Sequence, residues 1–268
     1  MIAYMAHRLL PLLLAGVLTK GAVLAAPAVA PPAPPAPTAP PAPTTAPRRP
    51  IVVLDPGHGG PNGGASGPEG IREKRITLEI GRRLASRLER ETDARVVLTR
   101  EADDHVGLRE RAQIANGLEA DLLLSLHCNS SGAPGPRGFE AFYLSDSGAT
   151  GDVHRAAVER RAERADQDSI RAIVGDIGSE VARAGGARLA SVVRASLRGR
   201  LPGPDRGVKS GSYTLLAASS VPAVVVEMGF LNHPDEGAAL ATAEYQDRLA
   251  DGLAHAIRRY LAEVGYTP

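Results

Sequence analysis

The sequence predicts an α/β fold: a single domain with a twisted, mostly parallel (mixed) central sheet flanked by helices, plus a helical insertion. Three observations predict it. Short strand-like runs alternate along residues 51–268 with stretches whose apolar side chains recur at helical spacing. The runs DLLLSLH and PAVVVEM are nearly continuous in apolar residues, as strands covered on both faces are. Strand-helix alternation of this kind builds a sheet with helices on both sides.

Each element has its own signal. IVVLD (51–55) is a β-branched run ended by Pro-Gly. Residues 73–91 place Ile76, Leu78, Ile80, Leu84 and Leu88 near one face, with Arg and Glu elsewhere, and read as a helix. ARVVLTR is a second strand. Residues 107–118 carry Leu108, Ala112, Ala115 and Leu118, a short helix closed by Asn-Gly. DLLLSLH is a third strand, GFEAFYL a fourth, and PAVVVEM a further central one. EYQDRLADGLAHAIRRYLAEV closes the chain as an amphipathic helix. Residues 152–200 break the rhythm: they are rich in Ala, Arg and Glu, hold no strand candidate, and read as an insertion of two or three helices.

The first fifty residues have a different character. Arg8, the run LLPLLLAGVL and the small residues of VLAAPAVA have the order of a secretory signal peptide, assigned to residues 1–26 with cleavage near Ala25 or Ala26. Pro11 interrupts the apolar run, which is short for a bilayer, so the mature chain is expected to carry no membrane span. Residues 27–50 are almost entirely Pro, Ala and Thr, too poor in apolar bulk to collapse, and read as a semi-rigid spacer in polyproline II. The whole chain reads as exported, to a periplasm before a cell wall or the medium.

Composition narrows the function. The 268 residues hold 31 Lys and Arg against 30 Asp and Glu, and no Trp. Charges that nearly cancel, without a basic patch interleaved with aromatics, argue against a nucleic-acid partner. The lone Cys128 permits no internal disulfide despite export, so packing alone must hold the domain.

Four residues stand where strand-like runs give way to turns or helices: His58, Glu73, His127 and Glu227. Open α/β sheets present functional groups at such strand ends. Two imidazoles and one carboxylate fill three positions of a tetrahedral zinc and leave the fourth for water. Each residue has a plainer reading. His58 in LDPGHGG could sit in an ordinary glycine-rich turn. Glu73 suits a first helical turn through the helix dipole, and Glu69 and Glu79 compete with it. His127 could be a hydrogen-bonded core histidine. Glu227 fits the plain reading least, because a carboxylate after Val224-Val225-Val226 must emerge at the strand end or be costly to bury. Together the four read as a metal-dependent hydrolase.

LDPGHGG, REK, SLHCN and VPAVVVEMGFLN, in this order, resemble the zinc-dependent N-acetylmuramoyl-L-alanine amidases of the amidase-3 family. The likeness runs from about Ile51 to the last helix, interrupted at 152–200. It implies Zn2+ as cofactor, with His58, Glu73 and His127 as ligands and Glu227 as the catalytic carboxylate. It also implies a peptidoglycan substrate: the amide joining N-acetylmuramic acid to L-alanine. Two departures are small. Cys128 stands where relatives often carry Ala, and strand alternation turns its side chain away from a metal at His127. After Phe230, Asn232 comes one residue earlier than the family's usual spacing.

Some relatives from Gram-negative envelopes carry an insertion whose helix places a carboxylate on the zinc until an activator protein withdraws it. Glu159 and Glu163, one helical turn apart, could serve here; a solvated helix held by its own ion pairs is the alternative. Arg100 after the second strand could bind a substrate carboxylate or act structurally, and the structural role is preferred; Arg109, Arg111 and Asn116 read as packing and solvent contacts. The rival functions are a zinc peptidase acting on the stem peptide and a catalytically inactive wall-binding module.

Overall fold

In the computed structural model the described residues are 48–132, 135–144 and 178–266. The segment read as a signal peptide, most of the spacer, and Glu159 and Glu163 lie outside them. The strands are β1 (Ile51–Pro56), β2 (Arg95–Leu98), β3 (Leu122–Asn129), β4 (Phe139–Tyr143), β5 (Asp205–Ser210) and β6 (Ala223–Phe230). They form one sheet in the order β2-β1-β3-β6-β4-β5. The first four in that order run parallel; β4 is antiparallel to β6, and β5 runs parallel to β4. The sheet is therefore mixed, as expected.

The helices are α1 (Glu73–Glu91), α2 (Leu108–Gly117), α3 (Gly178–Leu197), α4 (Thr214–Ala218), α5 (Pro234–Leu240) and α6 (Ala243–Glu263). Strand alternation splits the core in two. One face of the sheet, with Leu54, Leu124, Leu126, Val224 and Val226, packs with side chains of α1, α3 and α6. The other, with Val53, Leu123, Val225 and Phe142, packs with those of α2 and α4. On α1 the expected stripe is buried at Ile76, Ile80, Leu84 and Leu88, each contributing roughly 1.5–3 kcal/mol. That helix stops at Thr92, whose hydroxyl donates to the Leu88 carbonyl at 2.8 Å. Helix α6 begins where Thr242 Oγ1 accepts from the Tyr245 amide at 3.3 Å.

Two features depart from the sequence reading. The stretch 152–200 was expected to be an insertion throughout, yet its latter part holds α3, which buries Leu189, Val193 and Leu197 and packs on α6 and β4. The second departure is β5, a strand with no counterpart in that reading. Its sequence DRGVKS has a single β-branched residue and is only half-buried along most of its length.

At the amino-terminal end of β1 the chain is clamped to Asp121. That carboxylate accepts from the Ile51 amide at 2.8 Å, Arg48 at 2.7 Å and the Tyr266 hydroxyl at 2.7 Å. Both ends of the described domain thus meet at the pole opposite the carboxyl ends of the parallel strands. No helix among the described residues is long and apolar enough to cross a membrane.

Candidate metal centre

The parallel strands β1 and β3 deliver the histidines. His127 is the sixth residue of β3, and His58 follows β1 by two residues. Glu73 opens α1, which returns along the sheet so that its first residue lies against the same strand ends. The Glu73 carboxylate stands between the two rings. Its Oε2 is 3.1 Å from His58 Nε2, and its Oε1 is 3.1 Å from His127 Nδ1. One ligand atom from each of the three residues can be chosen so that all lie within 4.8 Å of one another.

This arrangement fits a zinc ion. Ligand atoms around one tetrahedral zinc, at bonds of about 2.1 Å, stand roughly 3.4 Å apart, close to the carboxylate-imidazole separations here. His58 Nε2 is buried yet makes no hydrogen bond among the described residues, although a carboxylate oxygen is near. Two lone-pair donors facing a shared point give that geometry; a donor aimed at an acceptor does not. Both carboxylate oxygens are also fixed from behind: the Cys128 amide donates to Oε1 and the Ala65 amide to Oε2, each at 2.8 Å.

His58, in its glycine-rich turn, itself takes an unusual conformation. Its φ is 62°, in the left-handed region, at a cost on the order of 1 kcal/mol. Asn62 Oδ1 lies 3.0 Å from its Nδ1, and Arg111 donates to its carbonyl oxygen at 2.6 Å. A Cβ on Gly57 would overlap the His127 ring. One on Gly64 (φ 67°) would come within 2.6 Å of both Glu73 Oε2 and His58 Cδ2.

Glu227 lies in β6, fully buried, in register with His127 of β3. Paired positions on neighbouring strands share a face. The competing carboxylates fall elsewhere: Glu69 is exposed in the turn Pro68–Gly70, and Glu79 accepts from Arg75 and Gln246, each at 2.8 Å. The Cys128 side chain packs in the core with Leu126 and Met228, on the sheet face opposite His127.

Behind the histidines lies a layer that the sequence reading took for packing. Arg111 is buried and pairs with Asp55 at 2.6 Å, while also donating to the Pro56 and His58 carbonyls. Burial alone would raise the Asp55 carboxyl, but Arg111, Ser125 and Thr99 outweigh it and hold the group below its ordinary range. Arg100 donates to the carbonyls of Pro56, Gly57, Lys74 and Ala102, a structural role. Burial, with Arg111 nearby, lowers its guanidinium to about 10. Asn116 bridges Ala218 and Ser220, and Asn232 ties the loop after β6 to Ser131. No local signal marks Arg111, because Asp55 lies 56 residues away in the sequence.

Known proteins share this framework. AmiC of Escherichia coli O6:H1, an N-acetylmuramoyl-L-alanine amidase, is 29% identical over 225 residues, covering 80% of this chain and 54% of its own length. AmiA of E. coli K12, also named as such an amidase, is 30% identical, covering 78% of this chain and 75% of its own. The chain therefore spans about half the length of the AmiC relative and three quarters of AmiA. The solved amidase AmiC2 of Nostoc punctiforme superimposes with a TM-score of 0.63 at 31% identity, covering 80% of this chain and 97% of that one. The sequence profile described as N-acetylmuramoyl-L-alanine amidase matches residues 52–259, nearly the whole described domain, and on that match the chain belongs to the amidase-3 family.

Proposed function

We propose that this chain hydrolyses the peptidoglycan amide between N-acetylmuramic acid and L-alanine, with His58, Glu73 and His127 holding one zinc ion and Glu227 as the catalytic carboxylate. The observation that carries this reading is the Glu73 carboxylate standing 3.1 Å from a nitrogen of each imidazole. Zinc, when bound, acidifies water toward neutral pH and polarises a carbonyl.

The chain's own groups supply the rest. His58, Glu73 and His127 would hold the ion, and the amides of Cys128 and Ala65 keep Glu73 from rotating away. Glu227 takes a proton from the attacking water and hands it to the departing L-alanine nitrogen, which leaves poorly without it. Its burial within β6 keeps the carboxylate out of bulk water and next to His127 in register.

The test is digestion of purified sacculi by the zinc-loaded protein, with metal content measured alongside. New amino termini on L-alanine, one zinc per chain, and loss of release on chelation are expected. New termini inside the stem peptide would make the protein a peptidase instead, and zinc binding without any release would make it an inactive wall-binding module.

The basic start and apolar run before the Pro-rich spacer support export, with a periplasmic location favoured by the insertion. An activator protein acting on 152–200 belongs to the same proposal, restricted to the part before α3. Removal of residues 152–177 from the zinc-loaded protein would raise hydrolysis if that segment restrains the site; unchanged or lower hydrolysis would refute the idea.

A further inference from the structure

Glu227 has a second carboxylate at its side. Glu140 of β4 pairs with it across the antiparallel ladder and is also fully buried. Three donors converge on Glu140. Asn129 reaches Oε1 at 2.7 Å, while Lys209 Nζ at 2.6 Å and Arg206 Nε at 3.1 Å reach Oε2. Both cations rise from β5, the outer strand. Two positive charges thus share one oxygen of one anion. Their side chains are 30% and 32% exposed, so the positive excess over Glu140 faces solvent.

Arg206 engages Glu140 only through Nε. Its two terminal nitrogens have no hydrogen-bond partner among the described residues. They form the fork that grips a carboxylate with two parallel bonds. The Phe230 ring, 4.9 Å from the guanidinium carbon, helps hold that group in place.

The strand order gives the cluster a direction. Going outward across the sheet come His58 after β1, His127 on β3, Glu227 on β6, Glu140 on β4, then the cations on β5. Neighbouring strands stand about 4.8 Å apart, which puts the cations roughly 10 Å from Glu227. A proton delivered by Glu227 arrives at the leaving nitrogen. A peptide leaving that nitrogen on the side away from the metal ligands would run toward β4 and β5. An extended peptide advances about 3.3–3.6 Å per residue, so groups two to three residues past the scissile amide come level with β5.

We propose that Arg206 and Lys209, braced by buried Glu140, form a subsite for a free carboxylate on the stem peptide, on its leaving-group side. The subsite rests on the amidase reading given above. It makes the protein select for an anionic stem peptide over one whose carboxyls are amidated.

Two muropeptides test it with the full, zinc-loaded chain. One carries free carboxylates on the second and third stem residues; the other carries carboxamides there. A charged hydrogen-bonding pair of this kind should favour the free acid by about ten-fold in kcat/KM, mostly through KM. In Arg206→Gln, which leaves Lys209 on Glu140, that ratio should fall to about one. A merely structural Arg206 would slow both substrates together and keep the ratio, and that result would overturn the proposal. Calorimetric titration of the wild-type chain with the free and the amidated stem peptides gives a readout independent of turnover. Tighter binding of the free acid supports the subsite, and equal binding refutes it. If neither muropeptide is cut at the muramoyl amide, the amidase reading fails while the titration still decides the subsite. Cutting of both with equal efficiency sinks the subsite alone.

Discussion

Arg111 and Asp55 form a buried ion pair of 2.6 Å between α2 and the end of β1. The same guanidinium reaches the Pro56 and His58 carbonyls, so it fixes the turn that carries the first histidine. Removing either partner strands the other charge in the interior. Asp55→Asn or Arg111→Met should therefore cost about 3–5 kcal/mol in urea unfolding. A loss under about 1 kcal/mol, the range of an exposed pair, would show that the bridge is not a brace.

The pair also sets an acid limit. The Asp55 carboxyl titrates below its ordinary value when folded, because Arg111, Ser125 and Thr99 outweigh the burial that would raise it. A carboxyl depressed in the folded state adds stability above its unfolded pKa of about 3.9, and that stability is lost as pH falls through the folded value. Unfolding free energy should thus decline in the wild type on acidification below about pH 4, and decline less in Asp55→Asn. Parallel curves for the two proteins would contradict the assignment.

Glu227→Gln keeps size and burial but removes the base. Turnover should fall by about 10²–10⁴-fold while zinc content stays at one per chain. Activity near wild type in a fully loaded Gln variant would remove the proton-transfer role from this residue.

Gly57 leaves the space into which the His127 ring fits. Gly57→Ala should displace that ring and weaken zinc affinity by about 10–100-fold, measured by competition with a chelator. Unaltered affinity, with His127 in place, would mean the turn yields more easily than its packing suggests.

Zinc binding should also raise stability, since an ion held by the folded chain alone shifts the equilibrium by about 2.7 kcal/mol at one hundred times its dissociation constant. The apo and loaded proteins, melted side by side, should differ by several degrees. His58→Ala should erase most of that difference.

Much of this fold was legible because its central strands are strongly apolar and end in chemistry. DLLLSLH and PAVVVEM announce β3 and β6, which carry His127 and Glu227 in register. The edge was not legible. DRGVKS resembles a loop because β5 is an outer strand that owes its place to β4, and the apolar pattern that marks a central strand is absent there. A helix was expected in the stretch that holds α3, but its place in the core was hidden by its Ala, Arg and Gly, which look solvated until Leu189, Val193 and Leu197 meet α6. The candidate ligands were readable from local context. The Asp55–Arg111 bridge and the cations on Glu140 were not, since these charged partners lie 56 to 69 residues apart and meet only in the folded sheet.

The Asp121 clamp gathers Arg48, Ile51 and Tyr266 at one pole, and the imidazoles occupy the other. A dye, bead or fused protein joined just before Arg48 would therefore hold the molecule by its heel, leaving the rim that bears the imidazoles to sweep whatever surface it faces.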